Sequence, residues 1–344
     1  MPKSRNNRGS ALSRRSTSRD VASLAGVSQS TVSRVLTGAA KVRPTTREAV
    51  LRALDELRYA PDATARAMRT RLTGTVGVLI PRITNPFYPE LLVVLGDRLA
   101  RSNRRMIVWE SGVGDRAATD AIRQRVVDAI VLPAVTLISP PLLAAISGGV
   151  PAVLVNRSIP GLICDTVASD NIQGGASVAG YFLLNHHSEV AMIGGLPGTS
   201  TGDERRAGFA QELSNSGIKD ADWPYIPGDF TYEHGFQTFA QLMTSSRPPD
   251  AVFCANDLIA FGALNAAKHL GIDIPLDVWI AGYDDVQMAA WPLFNLTTVR
   301  QPIVQMIETA VALAIERIEG NGVPPRSIRF PSELIIRGST TVPS

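Results

Sequence analysis

The chain has 344 residues, of which 45% are hydrophobic and 19% charged, so it has room for a large two-lobed domain and a small additional module. Its charge is uneven, because residues 1–73 carry 15 Lys plus Arg against 5 Asp plus Glu, whereas the remainder carries 19 Lys plus Arg against 26 Asp plus Glu. A polyanion partner is therefore predicted at the N-terminus only. With two cysteines, no apolar signal-peptide core and no run of about 18 apolar residues, the chain is expected to be cytoplasmic and neither exported nor membrane-bound.

The N-terminal residues predict a tail and then a short helix. Residues 1–16 are rich in Ser, Arg and Asn, which predicts a disordered basic tail. The helix that follows has a hydroxyl N-cap at Thr17 or Ser18 and the acid Asp20 in its first turn. Its apolar residues recur at helical spacing: Val21, Ala22, Leu24 and Ala25. Gly26 is then expected to end the helix.

A second short helix is predicted after Ser28, which can cap it. Its apolar face carries Val32, Val35 and Leu36, and its outer face carries Gln29, Ser30, Ser33 and Arg34. Two short helices that meet at a glycine are typical of a helix-turn-helix, in which the second helix lies in the DNA major groove. The alternative is a helical hairpin that packs against another part of the protein. A third predicted helix, residues 44–58, completes a three-helix domain over residues 17–60.

Several motifs follow one another in a recognisable order. They are DVA, AGVSQSTVSRVL, the stretch YAPDATARAMRT, and a first strand VGVLIP that leads to NPFY. In this order, from residue 17 to about residue 341, the chain resembles the lactose-repressor (LacI/GalR) family of bacterial transcription regulators. The resemblance implies DNA contacts by Thr17, Ser28, Gln29, Ser30, Thr31, Ser33 and Arg34. It also implies a hinge over residues 61–73 that becomes helical in the minor groove, with Ala65 at the DNA and Met68 wedged into the central base step.

From residue 75 onward, short runs of Val, Ile and Leu alternate with helical stretches, as in VGVLI, MIVW, AIVLP, AVLVN, VAMIGG, AVFCAND and VWIAGYDD. This alternation predicts two doubly wound parallel sheets. The expected fold is an all-α helix-turn-helix module followed by an α/β, two-lobed, periplasmic-binding-protein-like effector domain over residues 74–344. Its N-lobe is expected at about 74–168 and 300–328, and its C-lobe at about 169–299 and 329–340.

Polar and aromatic residues follow many of the predicted strands, at the edge where open α/β sheets bind ligands. By resemblance to these repressors and to periplasmic sugar-binding proteins, the effector cleft is expected to involve Asn85, Phe87, Asn156, Arg157, Asp170, Arg205, Phe230, Asn256, Asp284 and Gln301. Amides, carboxylates and a guanidinium beside aromatic faces suit a monosaccharide or a derivative. For any single Asn or Asp, however, a helix cap is the more common role. Asn156 stands where many relatives have aspartate, which leaves the identity of the sugar open.

No motif predicts catalysis, a cofactor or a metal. The stretch GGLPGTS lacks the ending of a nucleotide P-loop, the four histidines lack metal-ligand spacing, and no nucleophile and base can be assembled. A sugar-processing enzyme is therefore disfavoured. A sugar-binding protein without a regulatory role would leave residues 17–72 unexplained.

The preferred hypothesis is a transcriptional repressor that binds a palindromic operator as a homodimer and responds to a small sugar-like effector. A corepressor that tightens DNA binding remains the alternative. The last predicted strand covers residues 332–336. The residues after it contain no leucine heptads, so a dimer rather than a tetramer is expected.

Overall fold

The computed structural model describes residues 16–36, 42–59, 72–135, 139–320 and 322–341. The chain divides into two compact units, Met1–Thr73 and Gly74–Ser344. The predicted tail up to residue 15, and most of the predicted hinge with Ala65 and Met68, lie outside the described residues.

The first unit contains three short helices: α1 (Ser18–Leu24), α2 (Gln29–Leu36) and α3 (Pro44–Glu56). Thr17 caps α1, because its hydroxyl accepts from the Asp20 amide at 3.4 Å and the Asp20 carboxylate accepts from the Thr17 amide at 2.7 Å. Gly26 makes the turn with a φ of +64°. The small core consists of Val21, Ala22, Val32, Val35, Val50 and Ala53.

Two leucines of this unit are not where the sequence pattern predicted them. Leu24 and Leu36 were expected on the apolar faces, but they are 47% and 40% exposed. Each helix has only about two turns, and Val21, Ala22, Val32 and Val35 already fill the contact between helices. The last turn of each helix therefore leaves its leucine partly exposed to solvent.

The first sheet of the second unit is parallel throughout, in the order β11-β5-β4-β3-β1-β2. Its strands are β1 (Thr75–Ile80), β2 (Arg105–Glu110), β3 (Ala129–Leu132), β4 (Ala152–Val155), β5 (Asp165–Ser169) and β11 (Ser327–Phe330). The helices of this lobe are α4 (Phe87–Arg101), α5 (Asp115–Arg123), α6 (Pro140–Gly148) and α11 (Ile303–Ile318).

The second sheet has the order β12-β10-β9-β8-β6-β7. Its strands are β6 (Val190–Ile193), β7 (Tyr225–Ile226), β8 (Ala251–Cys254), β9 (Trp279–Asp284), β10 (Thr297–Arg300) and β12 (Glu333–Ile335). The helices of this lobe are α7 (Asn171–Leu184), α8 (Ser200–Asn215), α9 (Tyr232–Met243) and α10 (Asp257–Leu270). None of the helices described here has the length and apolar character needed to cross a bilayer.

The predicted two-sheet α/β architecture is confirmed, with two differences. The edge strand β12 is antiparallel to β10, so the second sheet is not wholly parallel. Strand β11 pairs with β5 as far as Phe330, so the first lobe extends past the expected end at residue 328. The chain crosses between the lobes after β5, after β10 and after β11, and these crossings place the carboxyl ends of both sheets at a shared cleft.

Candidate functional site

A cleft of about 250 Å³ lies between the two lobes of the second unit. It is bounded by the carboxyl ends of β1, β4, β8 and β9 and by the N-terminal turns of α4, α8 and α10. Its lining residues are mostly polar or aromatic: Asn85, Phe87, Tyr88, Asn156, Arg157, Thr201, Arg205, Phe230, Asn256 and Asp284. Both lobes therefore contribute side chains to one small site.

Two asparagines of the cleft also bond to the backbone at the start of a helix. Asn256 caps α10, because its Oδ1 accepts from the Ile259 amide at 2.9 Å. Asn85 lies in the turn before α4, where its Oδ1 accepts from the Phe87 amide at 3.1 Å. Helix α10 starts just after the buried strand β8, which brings its capping residue to the ligand edge of the sheet.

Arg205 is held rigidly on α8. Its Nε donates to Asn171 Oδ1 at 3.0 Å, its Nη1 to the Ala255 carbonyl at 2.7 Å, and its Nη2 lies 3.5 Å from Asp284 Oδ1. The guanidinium also stacks 3.6 Å from the centre of the Tyr283 ring. This network fixes the direction of Arg205 before any ligand arrives.

Close packing of α7 against α8 sets the position of Arg205. A Cβ at Gly175 would overlap the carbonyl oxygen of Arg205, and one at Gly208 would overlap that of Ile172. Only glycine permits this approach. The helix pair therefore brings Arg205 within reach of both Asn171 and the end of β9.

Asp284 is the buried carboxylate of the cleft, 5% exposed at the end of β9. Gln301 lies behind it, donating to Asp284 Oδ1 at 2.7 Å and accepting from the Ser169 hydroxyl at 2.9 Å. Burial raises the pKa of Asp284 to about 6, although the Arg205 charge acts in the opposite direction. Burial also raises the pKa of the neighbouring Asp257, whose carboxylate accepts from the Val286 amide at 3.0 Å.

Three residues of the cleft have an unusual backbone conformation or a buried polar atom without a partner. Asn156 and Asp284 have φ values of +66° and +123°, a region that non-glycine residues rarely adopt. Asn156 Oδ1 and Arg157 Nε are buried, and within the described residues neither has a hydrogen-bond partner. Strained backbone and buried unpaired polar atoms are typical of a site that binds a polar ligand.

Aromatic side chains form the less polar part of the cleft. Phe87 and Tyr88 are 2% and 6% exposed and pack edge to face, with ring centres 5.4 Å apart. Burial raises the pKa of Tyr88 to about 12, so its phenol is neutral at ordinary pH. Phe230 faces Arg157, whose guanidinium carbon lies 5.8 Å from the ring centre. The site can therefore contact both hydroxyls and C–H surfaces.

The helix α2 of the first unit presents a polar surface. Gln29, Ser30 and Arg34 are exposed, whereas Thr31 and Ser33 are half-buried. Ser28 caps α2 by accepting from the Thr31 amide at 3.2 Å, and the Gln29 side chain donates to the Ser18 hydroxyl at 3.3 Å. The dimensions and surface of α2 suit the major groove.

The first unit and the C-terminal part of the second match known protein families. Residues 17–62 match bacterial regulatory proteins of the lacI family, and residues 179–340 match a periplasmic binding protein-like domain. The HTH-type transcriptional repressor PurR of Escherichia coli O1:K1 / APEC is 31% identical over 329 residues, which cover 94% of this chain and 96% of that protein. The chain belongs to the lacI family of bacterial regulatory proteins. The PurR of Photobacterium profundum is 29% identical over 94% of this chain and 98% of its own length.

Solved structures of lacI-family proteins have the same fold. A complex of the transcriptional regulator CelR with cellobiose is 31% identical, covers 94% of this chain and 100% of its own, and has a TM-score of 0.72. The lac repressor dimer bound to operator and the anti-inducer ONPF is 25% identical, covers 96% of this chain and 100% of its own, and has a TM-score of 0.82. This lacI-family chain is thus a DNA-binding transcriptional regulator in which α1 and α2 form the helix-turn-helix.

The cleft of this lacI-family protein contains eight of the ten residues predicted to bind effector. Gln301 supports Asp284 from behind, and Asp170 caps α7 by accepting from the Gln173 amide at 3.0 Å. Asp170 is not among the lining residues, because a cap at the crossing between lobes directs its carboxylate to its own helix.

Tyr88 and Thr201 line the cleft but were not among the predicted residues. Both lie in the first turn of a helix that begins at the cleft, and this position is the signal that could have identified them. In the described part of the chain, no group of three or more His, Cys, Asp or Glu side chains could hold a metal ion.

Proposed function

We propose that this lacI-family protein is a repressor that binds a near-palindromic operator as a homodimer and releases it when a small sugar-like effector occupies the cleft. The observation that carries the proposal is a cleft to which both lobes contribute buried polar side chains, in the same chain as a helix-turn-helix. A ligand that contacts both lobes stabilises one arrangement of the lobes over another.

The relatives support the effector class. CelR was solved with cellobiose, a lacI-family regulator of Enterococcus faecium with ribose, and the lac repressor with operator DNA. The cleft of this chain places amides, a carboxylate and a guanidinium beside the aromatic rings of Phe87 and Phe230. This combination suits a monosaccharide or a derivative of one.

Contacts across the cleft give the lobes a defined closed arrangement. Glu90 of α4 accepts from the Gln287 amide at 2.8 Å, and the Ser200 hydroxyl accepts from the Ser158 amide at 2.9 Å. An effector that contacts both lobes stabilises this closed arrangement, and the predicted hinge over residues 61–73 transmits the change in lobe position to the helix-turn-helix. The hinge would be helical on DNA in only one state, with Ala65 and Met68 in the minor groove.

The predicted DNA contacts are divided between base reading and positioning. Gln29, Ser30 and Arg34 would read base edges, with Arg34 favouring guanine and Gln29 adenine. The other predicted contacts, which would position the domain on the phosphates, are Thr17, Ser28, Thr31 and Ser33. Thr17 and Ser28 are helix caps, and both residues are exposed.

The test is selection of operator DNA from a random pool by the full chain, followed by a gel shift with candidate sugars. The expected outcome is a near-palindrome that the protein releases as the sugar concentration rises. Selection of no common sequence would contradict the proposal. A sugar that tightens binding instead would identify a corepressor and reverse the proposed direction of the response.

A further inference from the structure

The cleft contains two buried arginines with different surroundings. The charge of Arg205 is compensated, because its guanidinium contacts the Asp284 carboxylate as well as Asn171 and the Ala255 carbonyl. Asp284 is therefore already used as the counter-charge of Arg205. It supplies no second negative charge for Arg157.

Arg157 is 9% exposed, and none of the described ion pairs includes it. Its buried Nε has no acceptor among the described residues. The ionisable groups that act on it are the Tyr88 phenol, which is neutral, and the like charge of Arg205. Burial lowers the pKa of Arg157, in keeping with a charge that has lost water without gaining a carboxylate.

Three helix N-termini border the cleft. The first turns of α4 and α8 contribute Phe87, Tyr88 and Thr201 to the lining, and the N-cap of α10 contributes Asn256. Helix N-termini carry partial positive charge, but each of these first turns also holds a carboxyl group that opposes it: Glu90, Asp203 and Asp257. The positive charge available to a ligand is therefore that of the Arg157 guanidinium.

We propose that the effector carries an anionic group, a carboxylate or a phosphate, that pairs with the Arg157 guanidinium. This inference rests on the proposed function, since it assumes that the cleft is the effector site. Asn156 Oδ1, the neighbouring unpaired acceptor, takes a hydrogen bond from a hydroxyl of the same ligand. The ligand class is a sugar acid or sugar phosphate of monosaccharide size, unlike the neutral cellobiose and ribose of the solved relatives.

The first test needs no knowledge of the effector and uses inorganic phosphate as the anion. Thermal unfolding of the full chain is followed with phosphate and with chloride at equal ionic strength, for wild type, Arg157→Gln and the exposed control Arg247→Gln. Phosphate should raise the unfolding temperature of wild type and of Arg247→Gln. This rise should exceed the rise for Arg157→Gln by about 2 °C or more. An equal rise in all three proteins would overturn the inference.

The second test identifies the source of the anion. Calorimetry compares D-glucose, D-glucuronate and D-glucose 6-phosphate, and the corresponding galactose compounds. Within a sugar series that binds, the anionic compound should bind wild type about tenfold or more tightly than its neutral parent. Arg157→Gln should remove this preference for the anion. Arg157→Lys, which keeps the positive charge, should retain part of it. The tighter of the two anions identifies carboxylate or phosphate.

A neutral sugar that binds as tightly as both of its anionic derivatives would overturn the inference. If that sugar also released operator DNA, the proposed function would stand. If the chain selects no operator, the proposed function is contradicted, whatever effect phosphate has on the unfolding temperature.

Discussion

At the scale of single residues, the functional side chains of the cleft also have structural roles. Asn256 caps α10 and lines the site, Asn85 lines the site and accepts from the Phe87 amide, and Gln301 holds Asp284 in place. The sequence predicted most of these residues, but it could not separate capping from ligand contact, because both use the same residue types at the same strand ends. Asp170 shows the difference, since it caps a helix without lining the cleft.

The pH dependence of stability follows from Asp284. Its pKa is raised from an ordinary value near 3.8 to about 6, so between these values the folded protein binds a proton that the unfolded chain does not. The contribution of Asp284 to the free energy of unfolding should therefore fall as pH rises through this window, by on the order of 2–3 kcal/mol, and level off above it. Asp284→Asn should lack this component.

Urea unfolding from pH 4 to pH 8 measures this effect. Tryptophan fluorescence is suitable because all four tryptophans, Trp109, Trp223, Trp279 and Trp291, lie in the second unit. The matched control Asp120→Asn removes an exposed carboxyl group on α5 and should keep the wild-type pH dependence. Parallel profiles for wild type and Asp284→Asn would show that Asp284 titrates normally.

Base reading by α2 is a second prediction for single residues. Replacing the exposed Gln29 and Ser30 together should change the operator that the protein selects and leave non-specific DNA affinity nearly unchanged, since base contacts are worth about 1–3 kcal/mol each and phosphate contacts remain. Asp55→Asn, on the exposed part of α3, serves as the control. Selection of the wild-type sequence by the double variant would refute the assignment.

At the scale of elements, the strands that are rich in Val, Ile and Leu were predictable and the polar or short ones were not. The pattern predicted β1, β4, β8 and β9, but it did not indicate β5, in whose sequence DTVAS three of five residues are polar, or β7, which has only two residues. Strand β10, helix α11 and strand β11 were also not indicated. Their pairing depends on the crossings between lobes, and local periodicity contains no information on such distant contacts.

The predicted hinge over residues 61–73 connects the two units in sequence, and most of it, including Met68, lies outside the described residues. If Met68 wedges between base pairs, Met68→Ala should weaken operator binding by about tenfold and leave effector affinity unchanged in calorimetry. The alternative is that Met68 packs against the protein. In that case the variant would melt at a lower temperature without DNA, and its operator affinity would match wild type.

At the scale of the whole second unit, the contact of Glu90 with the Gln287 amide joins the two lobes across the cleft. Glu90→Ala removes this acceptor and should favour the open arrangement, so effector affinity should fall about threefold to tenfold. Glu319→Ala, at the exposed end of α11, is the matched control. Calorimetry that gives equal dissociation constants for Glu90→Ala and wild type would show that this contact does not contribute to closure.

The central claim is that the cleft and the helix-turn-helix are coupled. Fluorescence anisotropy of the selected operator, titrated with full-length protein at several effector concentrations, measures this coupling directly. The account predicts that saturating effector weakens operator binding about fivefold or more, and that operator DNA weakens effector binding by the same factor. Operator affinity that is the same with and without bound effector would contradict it.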